Sequence, residues 1–589
     1  MNALRKYGVS IIWIMALVLA CVNLVAMARR APIMATENQN EAEQAAQEFA
    51  RLVRPLPVDT RIALHLSPKK DNAEWFRYRL SYLVYPHRLE AFRTAPPPLA
   101  PPYLVSIQYG TTNNALLPNS VQIGDASFQT VCPPANKTLP IVPLSNFVLG
   151  LRLFLIILLI LFIGMVFVRP RLKEITLRTL PAHLALAHLC GMALVTWGVT
   201  LGRGFNFWGL AGLLLLASLL GKAPSPLFTL NADTSPFSKR LPLMLLTLLG
   251  VGVALFWGNR LGLDWDGYAI WQLKAKAFFH DGNFNMLKDS VHFEYAHLDY
   301  PLLLPLQTWL FYSMAQVDLD WIAQFSTLLF YIDLLVLFYF GVRSRLSPVS
   351  AWAGTALVAT LPLALQHATS GFADVPFAAY LLALTVALAN GYGNRVSCFL
   401  LFGLLNTKNE GIMAGGVLLV VLAFTWLRTP KADKGEAKQR MLLLFFGIVA
   451  GFLPWYLWKH AWSLQNDITS GAHTEEALSR VFIVILAWIA ALLHFGPRFP
   501  CWGLLAGLLR FGKEAKESLY FRVAVGQMLG YSLIYLITPH DVHWHIQTSM
   551  DRLLIHLAPL LLISTTLTDA FGKTTSVPFA HQSPLPHLK

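Results

Sequence analysis

Cysteine and charge are both scarce in this 589-residue chain. Its five cysteines, Cys21, Cys132, Cys190, Cys398 and Cys501, include no Cys-x-x-Cys pair, so neither a disulfide framework nor a zinc site is indicated. Only 13% of the residues are charged against 55% hydrophobic. The apolar residues gather in repeated runs near the ~20 residues that cross a bilayer, which makes the chain a polytopic membrane protein. These runs lack the alternation of a membrane β-barrel, and helices are the remaining way to satisfy the backbone in lipid. Internal repeats are also missing, as is any long acidic or basic block.

The net charge of +14 resembles that of a nucleic-acid binder, but its distribution argues against nucleic acid as a partner. The basic clusters from Arg169 to Arg178, Arg428 to Arg440 and Arg498 to Arg522 all fall on one side of the predicted topology, the inner side by the positive-inside rule. Spans are expected near 9–27, 146–168, 180–200, 205–221, 241–258, 321–342, 350–368, 375–391, 397–407, 411–427, 441–457, 476–495, 522–538 and 553–570, about fourteen in all. The apolar run from Leu302 to Met314 is excluded from that set. It is short, carries Pro305 and follows Pro301, and counting it would invert every later basic loop, so it reads as an interfacial or re-entrant helix on the outer face. Residues 1–27 fit an anchor helix, or a signal peptide with Ala26-Met-Ala28 as its cleavage site.

Five segments follow: an N-terminal anchor (1–27), a polar segment outside the membrane (28–145), accessory transmembrane helices (146–240), a membrane core (241–570) and a cytoplasmic tail (571–589). In the polar segment, Glu41 to Val53 and Ala73 to Leu83 read as helices, while the apolar run Ile62 to Leu66 and the strand-like Tyr103 to Tyr109 add β character, so a small α/β domain is expected. No catalytic constellation is visible in it.

Candidates for chemistry begin after Trp257. Between Gly258 and Asp320 lie eight acidic and four basic side chains, the reverse of the overall balance. Asp264 and Asp266, in Asp-Trp-Asp-Gly, sit just beyond a span. An unpaired carboxylate there, partly shielded from water, would have a raised pKa suited to a general base, while solvated loop acids are the plainer reading. The Asp-x-Asp spacing also allows a divalent metal, though two ligands do not define a site. Asp374, in Gly-Phe-Ala-Asp-Val-Pro, falls at the next outer turn, where helix capping is an equal alternative. Lys408 and Glu410, in Asn-Thr-Lys-Asn-Glu-Gly, lie at bilayer depth and need partners or a water-filled cavity; a helix break at Gly411 would turn both inward. The last cluster, His540 to Arg552, holds three histidines and leads into the final span. Arg552 at its end could grip a phosphate or snorkel to the interface.

On the quoted motifs, residues 241–570 resemble the GT-C membrane glycosyltransferases that use polyprenyl-phosphate sugars, such as protein O-mannosyltransferases and the aminoarabinose transferase of lipid A. The similarity rests on an Asp in the first outer loop, a Tyr-Pro-Leu-Leu interfacial helix, an Ala-Asp-Val-Pro turn, a Lys-Asn-Glu-Gly turn and an Asp-Arg before the last helix. The resemblance implies Asp266 as catalytic base with Asp264 as close rival, Asp374 as the second-loop Asp, and Lys408 and Arg552 near the donor phosphate. Trp271, Tyr300, Glu410 and His545 complete the set as pocket residues. It also implies a polyprenyl-phosphate-linked sugar as donor, a glycan, lipid or protein hydroxyl as acceptor, inversion at the anomeric carbon, and a bacterial inner-membrane enzyme whose site faces the periplasm. No cofactor is assigned, with a divalent metal left open. There are departures: Gly267 follows Asp266 where eukaryote-type mannosyltransferases have Asp-Glu, and the Trp-Trp-Asp-Tyr-Gly of oligosaccharyltransferases is missing. Rival readings are a polysaccharide polymerase or ligase using lipid-diphosphate glycans, a transporter or flippase, and a structural subunit.

Overall fold

In lipid a backbone N–H or C=O finds no partner outside its own segment or a neighbouring one, and the apolar runs of this chain accordingly form helices. The structure is a computed structural model; it describes residues 18, 41–53, 61–66, 73–85, 88–92, 103–109, 120–123, 126–130, 146–168, 176–201, 236–285, 296–344, 346–428, 434–466, 468, 471, 474–493 and 518–566. Apart from Val18, the expected anchor 9–27 lies outside these residues, as do the expected span 205–221 and the tail 571–589.

The polar segment contains helix and sheet. Helix α1 (Glu41–Val53) buries Ala45, Ala46, Phe49, Ala50 and Val53, a single stripe at helical spacing, against α2 (Ala73–Val84). Strands β1 (Arg61–Leu66), β2 (Arg88–Phe92), β3 (Tyr103–Tyr109), β4 (Ser120–Ile123) and β5 (Ala126–Thr130) form one sheet in the order β2-β1-β3-β5-β4. The pairs β2-β1 and β1-β3 are parallel, with α2 in the crossover from β1 to β2; β3-β5 and β5-β4 are antiparallel.

The other described elements are helical. They include α3 (Asn146–Val168), α4 (Leu180–Leu201), α5 (Phe237–Leu261), a π-turn (Gly267–Gln272) running into α6 (Leu273–Asp281), α7 (Leu303–Ala315), α8 (Asp320–Arg343), α9 (Pro348–Ala359), α10 (Pro362–His367), α11 (Asp374–Ala389), α12 (Asn394–Leu405), α13 (Glu410–Arg428), α14 (Lys434–Ala461), α15 (Ala477–Leu493), α16 (Leu519–Ile537) and α17 (Val542–Thr566). Among the described residues, eight helices are long and apolar enough to cross a membrane: α3, α4, α5, α8, α13, α14, α16 and α17. The shorter α9, α11, α12 and α15 also coincide with expected spans.

Three boundaries differ from the sequence reading. The expected span 350–368 is broken into α9 and α10 around Thr360 and Leu361, because Pro362 disfavours helix in the residue before it. The final helix starts at Val542, eleven residues before the expected 553, so His545 and Arg552 are helical residues and not loop residues. Gly411 does not break a helix either. The break runs from Asn406 to Asn409, between α12 and α13, and α13 includes Gly411.

Without a hydrophobic drive between helices in lipid, close backbone approach carries much of the packing. A Cβ added at Gly164 of α3 would stand 1.7 Å from the carbonyl oxygen of Ala187 in α4, and one at Gly191 would stand 2.3 Å from that of Ile160. The other face of α3 exposes Phe147, Phe154, Leu158 and Phe162, as expected for a lipid-facing surface. At the centre, α11 is buried through 14 residues from Asp374 to Ala387, packed by α8, α12 and α17.

Helix α2 also reaches the membrane core. Tyr78 meets the Trp265 ring edge-on at 5.3 Å, the Tyr82 hydroxyl donates to Asp320 Oδ1 at 2.9 Å, and Lys276 Nζ donates to the Tyr82 carbonyl at 3.1 Å. These contacts brace the segment that carries Asp264 and Asp266.

Gly164→Val is expected to separate α3 from α4 and lower stability by about 1–3 kcal/mol, the usual range for overpacking. A melting curve in detergent checks it; an unchanged melting temperature would show that the close approach is not what joins these helices.

Candidate functional site

Just past α5 the chain turns sharply against the segment 369–374. The Asp264 amide donates to the Ser370 carbonyl at 3.1 Å, and Gln272 Nε2 donates to the Gly371 carbonyl at 3.2 Å. A Cβ at position 267 would stand 2.0 Å from Ser370 O, so only glycine fits after Asp266. This explains the absence of a glutamate there. Gly371 itself has φ +82°, the left-handed conformation that glycine adopts without strain. The following π-turn widens the helix at this point, a distortion common beside functional residues.

The two aspartates diverge. Asp264 is exposed, accepts from its neighbour Trp265 N–H at 2.7 Å and from Gln366 Nε2 at 3.2 Å. Asp266 points inward and pairs with Arg552 Nη1 of α17. The expectation of an unpaired Asp266 is therefore corrected: its carboxylate is held by a guanidinium. Arg552 is likewise already engaged, and its guanidinium lies 5.6 Å over the Phe372 ring. Among the described residues, no group of three His, Cys, Asp or Glu side chains is placed to hold a metal ion, and the Asp-x-Asp pair splits between different partners.

Deeper lies a second assembly around Asp374, whose side chain is 3% exposed. Lys408 Nζ donates to Asp374 Oδ1 at 2.9 Å and reaches Glu410 Oε1 at 3.2 Å. His367 Nδ1 and His556 Nε2 each stand 3.3 Å from the Asp374 carboxylate. His556 Nδ1 in turn meets the Tyr531 hydroxyl at 2.6 Å. Asp374 opens α11, but its oxygens face side chains from three other segments, so capping does not account for it. Glu410 Oε2 is buried without a hydrogen-bond partner.

Trp271 and Tyr300 form an aromatic pair at 5.4 Å. The Lys274 ammonium lies 5.5 Å and 5.7 Å over their rings and donates to the His297 carbonyl at 2.7 Å. Burial pushes Lys274 down to about 7, with nearby Asp299 working in the opposite direction. Asp299 fixes the other side of Tyr300: Asn409 Nδ2 and Asn466 Nδ2 donate to its Oδ2 at 2.6 and 3.0 Å. Trp455 Nε1 donates to its carbonyl at 3.2 Å.

The structure thus brings Asp266 to Arg552, Asp374 to Lys408 and Glu410, and Trp271 to Tyr300. His545 stands apart, with its Nδ1 on Thr538 Oγ1 at 2.9 Å and its ring on Tyr535. His367, His556, Tyr531, Asp299 and Lys274 were not among the expected site residues. His556 follows Arg552 by four positions and shares its helix face, a spacing visible only once α17 is known to begin at Val542. Comparison with protein-family models, with curated proteins and with solved structures finds no match to this chain.

Two outcomes follow. Lys408→Met strands the buried Asp374 and Glu410 and is expected to lower stability by about 3–5 kcal/mol, with Asp374→Asn in the same chain restoring part of it. Chemical or thermal denaturation of the three proteins checks the pattern. For Lys274, the unfolded chain holds the proton between pH 7 and its ordinary range near 10.5 while the folded chain has released it, so stability rises with pH across that window. From pH 7 to pH 9 the wild type should gain on Lys274→Met by about 1 kcal/mol per pH unit at most; parallel melting temperatures would refute it.

Proposed function

We propose that this chain is a membrane glycosyltransferase that moves a sugar from a polyprenyl-phosphate donor to an acceptor hydroxyl. The observation that carries the reading is the meeting, at one end of the helical bundle, of two cation–carboxylate assemblies drawn from separate segments of the chain: Asp266 with Arg552, and Lys408 with Asp374 and Glu410. Intramembrane charges are expensive and persist where chemistry or transport uses them. Asp266 then serves as the base for the acceptor hydroxyl. Lys408 and Arg552 stabilise the charge that develops on the departing phosphate, and Trp271 and Tyr300 offer flat apolar faces for a sugar ring.

The placement of the site on the periplasmic face of a bacterial inner membrane belongs to the same proposal. It is supported by chain geometry: α2 touches the loop carrying Asp266, so the two lie on the same face and an even number of crossings separates them. Three of these are α3, α4 and α5; the expected span 205–221 lies outside the described residues. At the opposite end of the bundle are basic residues such as Arg395, Arg428 and Arg440, the pattern of an inner face. A transport reading is favoured by one observation, the buried His188–Asp333 pair at 2.5 Å between α4 and α8, far from the outer turns in sequence.

Purified protein incubated with a panel of polyprenyl-phosphate sugars and acceptor glycolipids is expected to consume donor, and Asp266→Asn to lower turnover by 10²–10⁴-fold, the range for losing a general base. Turnover equal to wild type in that variant would remove Asp266 from the chemistry. Movement of donor across proteoliposomes without sugar transfer would favour transport.

A further inference from the structure

The two assemblies contain too many carboxylates for the anion they are proposed to receive. Two permanent cations, Lys408 and Arg552, face three acidic side chains, Asp266, Asp374 and Glu410, with only His367 and His556 able to add positive charge. The permanent charges alone offer an entering phosphate no surplus of positive charge. Attraction requires that one carboxylate give up its cation.

The three acids differ in their freedom to do so. Asp374 is 3% exposed and held by Lys408, with His367 and His556 each 3.3 Å away. Glu410 sits behind the same lysine with one oxygen enclosed and unpartnered. Asp266, 21% exposed, has Arg552 as its ion-pair partner and stands at the N-terminal edge of the π-turn. Arg552 engages it through Nη1, while its Nε is shielded from solvent and has no hydrogen-bond partner. A guanidinium presents donors on two edges of a plane, and one edge here lacks an acceptor.

We propose that Asp266 is an internal stand-in for the donor's phosphate, and that donor binding is what frees it to act as base. This rests on the glycosyltransferase reading. The entering phosphate takes Arg552 through the open Nε edge and draws the guanidinium away from Asp266, and the displaced carboxylate, no longer paired with a guanidinium, becomes the stronger proton acceptor. The acceptor hydroxyl then gives its proton to Asp266 while its oxygen bonds to the anomeric carbon. The bond from that carbon to the phosphate oxygen breaks, its electron pair leaving with the polyprenyl phosphate. As this product departs, Asp266 passes its proton to water and returns to Arg552. The base is therefore masked whenever the donor site is empty, and donor precedes acceptor.

The consequence is an inverse effect of one substitution on binding and turnover. Titration of a short polyprenyl phosphate into the purified full-length chain should give roughly tenfold tighter binding for Asp266→Asn than for wild type, because Arg552 no longer has to be released. Arg552→Gln should bind more weakly, and Arg552→Lys should lie between it and wild type. In the Arg552→Gln background, Asp266→Asn should bring no gain. A gain that persists in that background would reduce the effect to through-space charge and overturn the exchange. So would unchanged or weaker binding by Asp266→Asn when wild type binds, which leaves the glycosyltransferase reading standing. Absence of binding by wild type itself removes both. The matching polyprenol, lacking the phosphate, should show no difference between wild type and Asp266→Asn.

Discussion

The organisation of this protein depends on the charge of Asp374. It begins the most deeply buried helix of the bundle, where water cannot solvate an ion, and an unpaired carboxylate at such depth is costly by several kcal/mol. Its compensation comes from Lys408 in the break between α12 and α13, from His367 at the end of α10 and from His556 on α17. Each of these elements must sit where it does for the charge to be tolerated. The short helices α10, α11 and α12, and the irregular turns between them, follow from that requirement: irregular backbone at membrane depth survives where it is buried in protein.

Around this ion cluster the end of the bundle is built from bends. The π-turn after Asp266, the left-handed Gly371 and the unwound Asn406 to Asn409 segment each interrupt a helix near a charged residue. They also interlock, since Ser370 and Gly371 accept from the Asp264–Gln272 segment and Asn406 accepts from the Leu303 amide. The Tyr300–Pro301 turn is tied in through Asp299, so the aromatic pair of Trp271 and Tyr300 has a rigid support.

Much of the helical framework is legible in the sequence because hydrophobic run length reports it directly. Glu41–Val53 was readable as a helix from its composition and Tyr103–Tyr109 as a strand from its β-prone residues. Charged residues in or beside apolar runs, namely Asp374, Lys408, Glu410 and Arg552, were readable as unusual for the same reason. Their pairing was not, because partners such as Asp266 and Arg552 are separated by 286 positions and nothing local records the contact. His556 and His367 were hidden by helix ends: starting α17 too late removed the face shared by Arg552 and His556, and running α9 into α10 made His367 look like the tail of one span. Asp299 lay in a motif that was noted for its proline, and its asparagine partners carry no charge to announce them.

The contacts of α2 with Trp265 and Lys276 join the polar segment to the turn that carries Asp264 and Asp266, although 194 positions separate Tyr82 from Lys276 in the chain. Trp265 stands between Asp264 and Asp266, so the tilt of α2 is also the tilt of the backbone that aims both carboxylates. A shift of α2 against this turn is therefore a shift at the backbone that carries both carboxylates.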